Sequence, residues 1–92
     1  MMGDARNNFE IVNKLGMHAR AATKLVQTAS RYRAEVTIEK DGHTANAKSV
    51  MGVLLLCGHQ GSRVTVSAKG EDAEDAVQAI GQLIADRFGE PS

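Results

Sequence analysis

The pattern of apolar and polar residues predicts an α+β fold, an open-faced two-layer sandwich in which a four-stranded, mostly antiparallel sheet carries three helices on one face. Segments that alternate with period two indicate strands, and segments with apolar residues three or four apart indicate amphipathic helices. They follow the order β-α-β-β-α-β-α. A length of 92 residues suits one domain. We expect a single domain over residues 1–92, with its core at about 8–88 and short frayed tails at 1–7 and 89–92.

The first strand and the first helix are expected in the N-terminal third of the chain. Residues 9–12 alternate well enough for a short strand, and a loop follows them. Residues 19–31 then show the spacing of an amphipathic helix. The apolar face of this helix consists of Ala22, Leu25, Val26 and Ala29.

Two antiparallel strands are expected next, at residues 35–39 and 43–47. Asp41-Gly42 between them is a strong signal for a two-residue hairpin turn. Because side chains alternate across a sheet, one face of these strands should meet the helices and the other should meet solvent. The solvent face is expected to carry Glu35, Thr37, Thr65 and Ser67.

A compact apolar segment at residues 50–56 predicts a second helix, with Ser49 as its N-cap. Cys57-Gly58 is the predicted stop, since Gly is common just beyond helix ends. Only Gly52 in this segment lacks an apolar side chain, so one helix face cannot bury the whole segment. We expect the remainder to form an exposed patch that marks a partner site. The alternative is that all of these side chains belong to the core.

The last strand and the last helix occupy the C-terminal third. Residues 64–68 alternate as a strand. Residues 70–72 then introduce a longer helix with acidic residues in its first turn and Arg87 in its last, a charge order that suits the helix dipole. Its apolar face consists of Ala73, Ala76, Val77, Ile80, Leu83 and Ile84.

Composition excludes several classes of function. Eleven basic residues balance eleven acidic ones and only 3% of the residues are aromatic, so the chain lacks the general features of a nucleic-acid binder. Because Ala is abundant, the core should consist of small side chains that let elements approach closely. No apolar run has the length of a signal peptide or a membrane span. We expect a cytoplasmic protein with no nucleic-acid partner and no membrane insertion.

A metal centre is not expected. Cys57 and His59 lie close together and His43 is the remaining candidate, whereas structural zinc generally needs four ligands. Cys57 has no second cysteine with which to form an internal disulfide, and we expect it to be a small buried apolar residue. The sequence therefore predicts neither a metal nor a cofactor.

The start of the first predicted helix holds the residues best suited to chemistry, because His18 lies there. Free N–H groups and the positive end of the helix dipole favour anions at this position, and a neutral imidazole is a nucleophile. A phosphoryl group on His18 could be bound by the Arg20 guanidinium and by the N–H groups of Ala19, Arg20 and Ala21. Gly16 is expected to give the loop freedom to expose the ring. Alternatively, His18 is only a helix cap or an exposed polar residue, and Arg20 a solvated charge.

Two motifs occur in order along the chain. Residues 16–22 read Gly-Met-His-Ala-Arg-Ala-Ala, and residues 47–53 read Ala-Lys-Ser-Val-Met-Gly-Val. Together with the order of the elements, these motifs resemble the HPr family, the histidine-containing phosphocarriers of the bacterial phosphoenolpyruvate-dependent phosphotransferase system. The resemblance covers about residues 8–88.

The resemblance implies that His18 receives a phosphoryl group on Nδ1 from enzyme I and passes it to enzyme IIA components of sugar uptake. It also implies that Arg20 stabilises the phosphohistidine, and that the chain is a carrier without a cofactor rather than a free-standing enzyme. Family members usually have Pro directly after this Arg, whereas Ala21 stands here. Since Pro in a first helical turn pre-sets φ, we expect altered transfer rates with the carrier function retained.

Further expectations about regulation and partners come from the same resemblance. Ser49 matches a regulatory site phosphorylated by HPr kinase, a role compatible with helix capping because a helix N-terminus accommodates a phosphate. The apolar side chains of the second helix are expected beside His18, where they would dock onto enzyme I and the acceptors. This partner-binding set is Val50, Met51, Leu54 and Leu55. We expect the protein to be a monomer.

Two other classes of function are compatible with these residues. One is a regulatory module of nitrogen or global regulation, which docks on its partners according to its phosphorylation state without feeding sugar uptake. The other is an enzyme that uses His18 as a nucleophile for hydrolytic release of phosphate. No second acid or base group stands out in support of the enzyme.

Overall fold

The computed structural model describes residues 3–56 and 58–92 and contains the predicted elements in the predicted order. The strands are β1 (Gly3–Glu10), β2 (Glu35–Lys40), β3 (His43–Asn46) and β4 (Arg63–Gly70). The helices are α1 (Ala19–Ala29), α2 (Val50–Leu55) and α3 (Ala73–Ala85), and a short 3-10 turn, Arg87–Gly89, follows α3. Within the described ranges no helix is long and apolar enough to cross a membrane.

The strands form one sheet in the spatial order β1-β4-β2-β3, and every pairing between neighbours is antiparallel. Helix α3 packs on β1 and β4, and α1 packs against both α3 and α2. Burial alternates along β2 and β4, so that one face of the sheet meets the helices. On the other face Glu35 and Thr37 are exposed, and Thr65 and Ser67 are half-buried. The predicted open-faced two-layer sandwich is confirmed.

Small side chains bring the helices close to the sheet and to one another, as the composition predicts. Ala21, Ala22 and Ala29 of α1 are fully buried. At Gly81 of α3, a Cβ atom would lie 2.3 Å from Cε1 of Phe9 in β1. Because interiors are packed to the density of organic crystals, such contacts leave no space for larger residues without movement of their neighbours.

Strand β1 is longer than predicted and begins earlier. It pairs with β4 from Gly3 opposite Gly70 to Glu10 opposite Arg63, so the polar residues 3–7 belong to the sheet. The expected frayed tail is therefore wrong for these residues. The pairing uses backbone groups, and an edge strand tolerates polar side chains. The side chains of residues 3–7 therefore show no apolar–polar alternation that would indicate a strand.

The hairpin and the second helix follow the prediction closely. Asp41 and Gly42 have φ values of +52° and +82°, as a two-residue turn of type I′ requires. Ser49 is the N-cap of α2, and its Oγ accepts a hydrogen bond from Gly52 N at 3.1 Å. Helix α2 ends at Leu55, before Gly58 of the predicted stop, whereas Cys57 and its predicted burial lie outside the described residues.

The end of α3 differs from the prediction. The helix ends at Ala85, so Arg87 does not lie in its last turn. Arg87 and Phe88 instead have φ values of +57° and +54°. This left-handed conformation breaks the helix and turns the Phe88 side chain into the core, where it is fully buried.

The expected frayed tail at residues 89–92 is instead attached to the loop that precedes α1. The carbonyl oxygen of Ser92 accepts a hydrogen bond from Lys14 N at 3.1 Å, and the Glu90 side chain is only 10% exposed. The burial of Phe88 directs the chain back toward that loop. The prediction was wrong because a segment without regular structure carries no periodicity that would reveal its contacts.

The loop of residues 11–18 is fixed by backbone contacts with residues 58–62. Ile11 N donates to the Ser62 carbonyl oxygen at 2.8 Å, and Met17 N donates to that of Gly58 at 2.6 Å. Gly16, with φ of +68°, is packed so tightly that a Cβ would lie 2.6 Å from the Gly58 oxygen. The role of Gly16 is thus close packing and a left-handed backbone, rather than the freedom of movement expected from the sequence.

The start of α3 is tied to the connection between α1 and β2. The Asp72 carboxylate accepts hydrogen bonds from Arg33 N at 2.8 Å and from Ala34 N at 2.9 Å. The bond from Arg33 is the largest cause that holds the pKa of Asp72 below its usual value; partial burial opposes it and the bond from Ala34 adds to it. The ionised carboxylate therefore stabilises the folded state.

Replacing Gly16 with Ala should lower the free energy of unfolding by at least about 3 kcal/mol, because the new Cβ would overlap backbone atoms and the positive φ would be strained. Urea unfolding followed by circular dichroism measures this. Gly42→Ala is the matched control, since Gly42 also has positive φ but open space around a Cβ, and it should lose about 1–2 kcal/mol. Equal losses in the two variants would contradict a role for close approach at Gly16.

Asp72→Ala should destabilise the protein at neutral pH more than Asp75→Ala does. Asp75 lies in the first turn of the same helix, but the hydrogen bonds from Arg33 N and Ala34 N go to Asp72. The pKa of Asp72 is lower in the folded state than in the unfolded state. The stabilisation by its ionised carboxylate is therefore complete above the unfolded-state pKa, and it disappears as the pH falls through the folded-state pKa. The difference in melting temperature between wild type and Asp72→Ala should shrink on acidification. A constant difference would show that ionisation of Asp72 is irrelevant.

Candidate functional site

His18 is the N-cap of α1 and has an extended backbone, with φ of −89° and ψ of 179°. Its carbonyl oxygen accepts from Ala22 N at 2.8 Å, which closes the first turn, and its Nδ1 accepts from Arg20 N at 3.3 Å. The predicted place of His18 at a helix start is confirmed. Capping and nucleophilic chemistry are compatible, since the cap uses only one weak hydrogen bond to Nδ1.

The other ring nitrogen of His18 faces a carboxylate. Nε2 contacts Oε2 of Glu90, and the two side chains are 29% and 10% exposed. The two residues are separated by 72 positions along the chain. Sequence reasoning missed Glu90, because no spacing or motif relates a residue in an irregular terminal segment to a helix start.

The contacts of His18 define its tautomer. A backbone N–H can only donate, so Nδ1, which receives the Arg20 N–H, carries a lone pair and no proton. An ionised carboxylate can only accept, so Nε2, which faces Glu90, carries the proton. Both contacts favour the tautomer that carries its proton on Nε2, and Nδ1 is the nucleophilic atom of that tautomer.

Glu90 is held by Asn13, a fully buried residue of the loop before α1. Asn13 Nδ2 donates to Oε1 of Glu90 and to the carbonyl oxygen of Gly16, both at 2.9 Å. Its Oδ1 has no hydrogen-bond partner within residues 3–56 and 58–92, so the amide serves the site through its two donors. Sequence analysis also missed Asn13, since a polar residue in a loop gives no signal of burial.

Glu90 is ionised at neutral pH. The hydrogen bond from Asn13 is the largest cause that lowers the pKa of the Glu90 carboxyl below its usual value. Burial opposes this effect, and the hydrogen bond from His18 and the positive charge of Lys24 add to it. Lys24 also holds the segment directly, because its Nζ donates to the carbonyl oxygen of Phe88 at 2.6 Å.

The predicted phosphate ligands lie in one helical turn. Ala19 and Arg20 are exposed, and Ala21 is buried. Their backbone N–H groups lie in the first turn, where an α-helix has no carbonyl oxygen to accept from them. Arg20 lines a surface depression together with His18, Lys14 and Glu90. None of the salt bridges within the described ranges involves Arg20, so its guanidinium can bind an anion.

The apolar patch on α2 is exposed at two of its four predicted members. Met51 is 68% exposed and Leu55 is 74% exposed, whereas Val50 and Leu54 are half-buried against the core. The alternative that the whole segment is core is therefore wrong. Leu15, in the loop before His18, is 70% exposed, which the sequence analysis did not predict.

Ser49 lies at the N-terminus of α2, as predicted. Ser49 is half-buried at the N-terminus of α2, where its hydroxyl oxygen already accepts the Gly52 N–H. Throughout the part of the chain that the structure describes, no three His, Cys, Asp or Glu side chains are grouped to hold a metal ion. The polar groups that lie together at the start of α1 are the His18 imidazole, the Arg20 guanidinium, the Glu90 carboxylate and backbone amides.

Known proteins resemble this chain in sequence and in fold. A family model described as the PTS HPr component phosphorylation site matches residues 5–86. A phosphocarrier protein HPr of Xylella fastidiosa is 48% identical over 84 residues, which cover 91% of this chain and 94% of that protein. A crystal structure of HPr-C-His from Thermoanaerobacter tengcongensis aligns with a TM-score of 0.92 and 44% identity, over 96% of this chain and 99% of that one.

A second solved structure from Thermoanaerobacter tengcongensis is an HPr dimer. It aligns with a TM-score of 0.76 and 48% identity, over 89% of this chain and 94% of that one. The family match, the curated relatives and the solved structures agree over most of the chain. This chain belongs to the HPr family of phosphocarrier proteins of the phosphotransferase system.

Proposed function

We propose that His18 accepts a phosphoryl group on Nδ1 from phosphorylated enzyme I and passes it to enzyme IIA components of a sugar phosphotransferase system in the cytoplasm. The observation that carries the proposal is the environment of Nδ1. This atom bears a lone pair and lies at the N-terminus of α1 beside the Arg20 amide. The protein is then a reactant that is regenerated in each cycle.

The first turn of α1 supplies the electrostatics of the transfer. The Nδ1 lone pair forms the new N–P bond while the bond between phosphorus and the donor breaks, and that electron pair stays with the donor. Phosphoryl transfer depends mainly on positioning and on stabilising charge at the equatorial oxygens. The amides of Ala19, Arg20 and Ala21 and the Arg20 fork are donors suited to those oxygens.

The exposed apolar side chains of α2, which packs against α1, and of the loop before His18 are the proposed partner surface. Met51 and Leu55 project from α2, with Val50 and Leu54 half-buried beneath, and Leu15 lies three residues before His18. Exposed large apolar residues of this kind are typical of protein-binding surfaces. We propose that enzyme I and the acceptors both dock on this surface, and that the protein acts as a monomer so that the surface stays free.

Ser49 is the proposed site of regulatory phosphorylation by HPr kinase. A phosphate on its Oγ would lie at the N-terminus of α2, where backbone N–H groups and the helix dipole accommodate negative charge. It would add about two negative charges next to Met51 and so alter partner binding. Phosphoserine is acid-stable and phosphohistidine is acid-labile, which separates the two modifications experimentally.

Incubation with phosphoenolpyruvate and enzyme I should give an acid-labile adduct, detected by mass spectrometry, that is absent in His18→Ala. Arg20→Ala should slow the transfer by about tenfold or more, because one ion pair to the phosphoryl oxygens is lost. Arg31→Ala is the control, since Arg31 is an exposed Arg just beyond the other end of α1. An adduct that survives His18→Ala, or equal rates in the two Arg variants, would contradict the proposed roles.

Met51→Glu should weaken binding to enzyme I by about tenfold or more, because it places a charge in a surface that must be desolvated. Isothermal titration calorimetry measures the affinity, and thermal unfolding should be unchanged because Met51 is exposed. Gln82→Glu places the same charge on the exposed face of α3 and should leave the affinity at the wild-type value. Unchanged affinity in Met51→Glu would remove α2 from the docking surface.

A further inference from the structure

We infer that Glu90 is a positioning residue for phosphoryl acceptance, and that it acts by holding the proton of His18 on Nε2. This inference rests on the proposed role of His18 as acceptor. Glu90 lies beyond residues 5–86, the part of the chain that the family model matches. Its contact with the ring comes from the terminal segment and not from the helix that carries His18.

The two ring nitrogens have opposite surroundings. Nδ1 meets a donor, the Arg20 amide at 3.3 Å, and Nε2 meets an acceptor, the Glu90 carboxylate. A neutral imidazole carries its proton on only one ring nitrogen. The hydrogen bond made by the other nitrogen decides which one it is. Only the form protonated at Nε2 satisfies both contacts, and only this form presents a lone pair at Nδ1.

The carboxylate is itself held in place before any phosphoryl group arrives. Its Oε1 accepts from Asn13 Nδ2 at 2.9 Å, which leaves Oε2 to face His18. Asn13 is fully buried and also binds the loop through Gly16, so the carboxylate has little freedom to rotate. A group fixed in this way needs no reorganisation during the reaction.

The charge balance of the step gives Glu90 a second effect. When the Nδ1 lone pair forms the N–P bond, the ring carries a phosphoryl group on Nδ1 and a proton on Nε2, and its positive charge is shared between the two nitrogens. The Glu90 carboxylate faces this charge at Nε2, while the backbone amide of Arg20 lies at Nδ1. When the group leaves for the acceptor, the electron pair of the N–P bond returns to Nδ1. The Nε2 proton stays in place in both directions.

Two variants separate this role from a merely structural one. In Glu90→Gln, the bond from Asn13 requires the amide oxygen to occupy the place of Oε1, so the amide NH₂ replaces Oε2 and faces His18 Nε2. A donor there favours the wrong tautomer, with the proton on Nδ1. In Ser-His-Asp hydrolases the same isosteric change fixes the wrong tautomer and lowers kcat by about 10⁴-fold. Glu90→Ala removes the acceptor without imposing a donor.

A tautomeric role of Glu90 and a packing role predict different orders of transfer rate among the Glu90 variants. Glu90→Gln should be at least as stable as Glu90→Ala, because it keeps the shape and the bond from Asn13. Its maximal rate of transfer from phosphorylated enzyme I should nevertheless be the lower of the two, by several-fold, and at least about tenfold below wild type. Glu90→Asp should recover part of the rate. The control Asp86→Asn removes an exposed acid four residues earlier and should transfer at the wild-type rate.

The experiment combines rapid-quench kinetics, thermal unfolding and ¹⁵N NMR of the His18 ring nitrogens in the full chain. We expect unphosphorylated wild type to show the proton on Nε2, Glu90→Gln to shift the population toward Nδ1, and the half-saturating concentration with enzyme I to stay unchanged. Rates that follow stability, with Glu90→Ala slowest, or identical ring spectra in all variants, would overturn the inference. If wild-type His18 takes no phosphoryl group although its Nε2 is protonated, the proposed function fails while the tautomer assignment stands.

Discussion

The position of His18 depends on a close contact between the backbone at Gly16 and the backbone at Gly58 and His59, which leaves no space for a side chain between them. Gly16 lies against Gly58 and His59 at distances that exclude a Cβ, and Met17 is hydrogen-bonded to Gly58. This contact determines where the loop ends and where α1 begins. Because the helix dipole and the free amides act only within the first turn, a shift of the loop would remove His18 from both.

The electrostatics of the site are local, which accounts for a chain with no net charge that handles an anion. The backbone amide of Arg20 donates to Nδ1 of His18, and the Arg20 side chain lines the same surface depression as the ring. An acceptor, the carboxylate of Glu90, faces Nε2. The ring thus has a hydrogen-bond donor on one side and a carboxylate on the other, and neither requires an excess of basic residues over the whole surface.

Much of the fold and the centre of the site were predictable from the sequence because they depend on neighbours in the chain. Periodicity indicated the helices and the central strands, and Asp41-Gly42 indicated the hairpin. His18 and Arg20 belong to one helical turn, so their proximity follows from helix geometry alone. The polar residues of β1 were not predictable in this way, since their place in the sheet comes from backbone pairing with β4.

The sequence by itself determined the fold class, the helix start at His18 and the capping role of Ser49, because each follows from local periodicity or from the next few residues. Only the tertiary structure decided that Glu90 reaches Nε2 of His18 across 72 positions of the chain. That contact requires the left-handed turn that buries Phe88 and the buried amide of Asn13. Both are consequences of packing between distant segments, and packing leaves no periodic pattern in the chain.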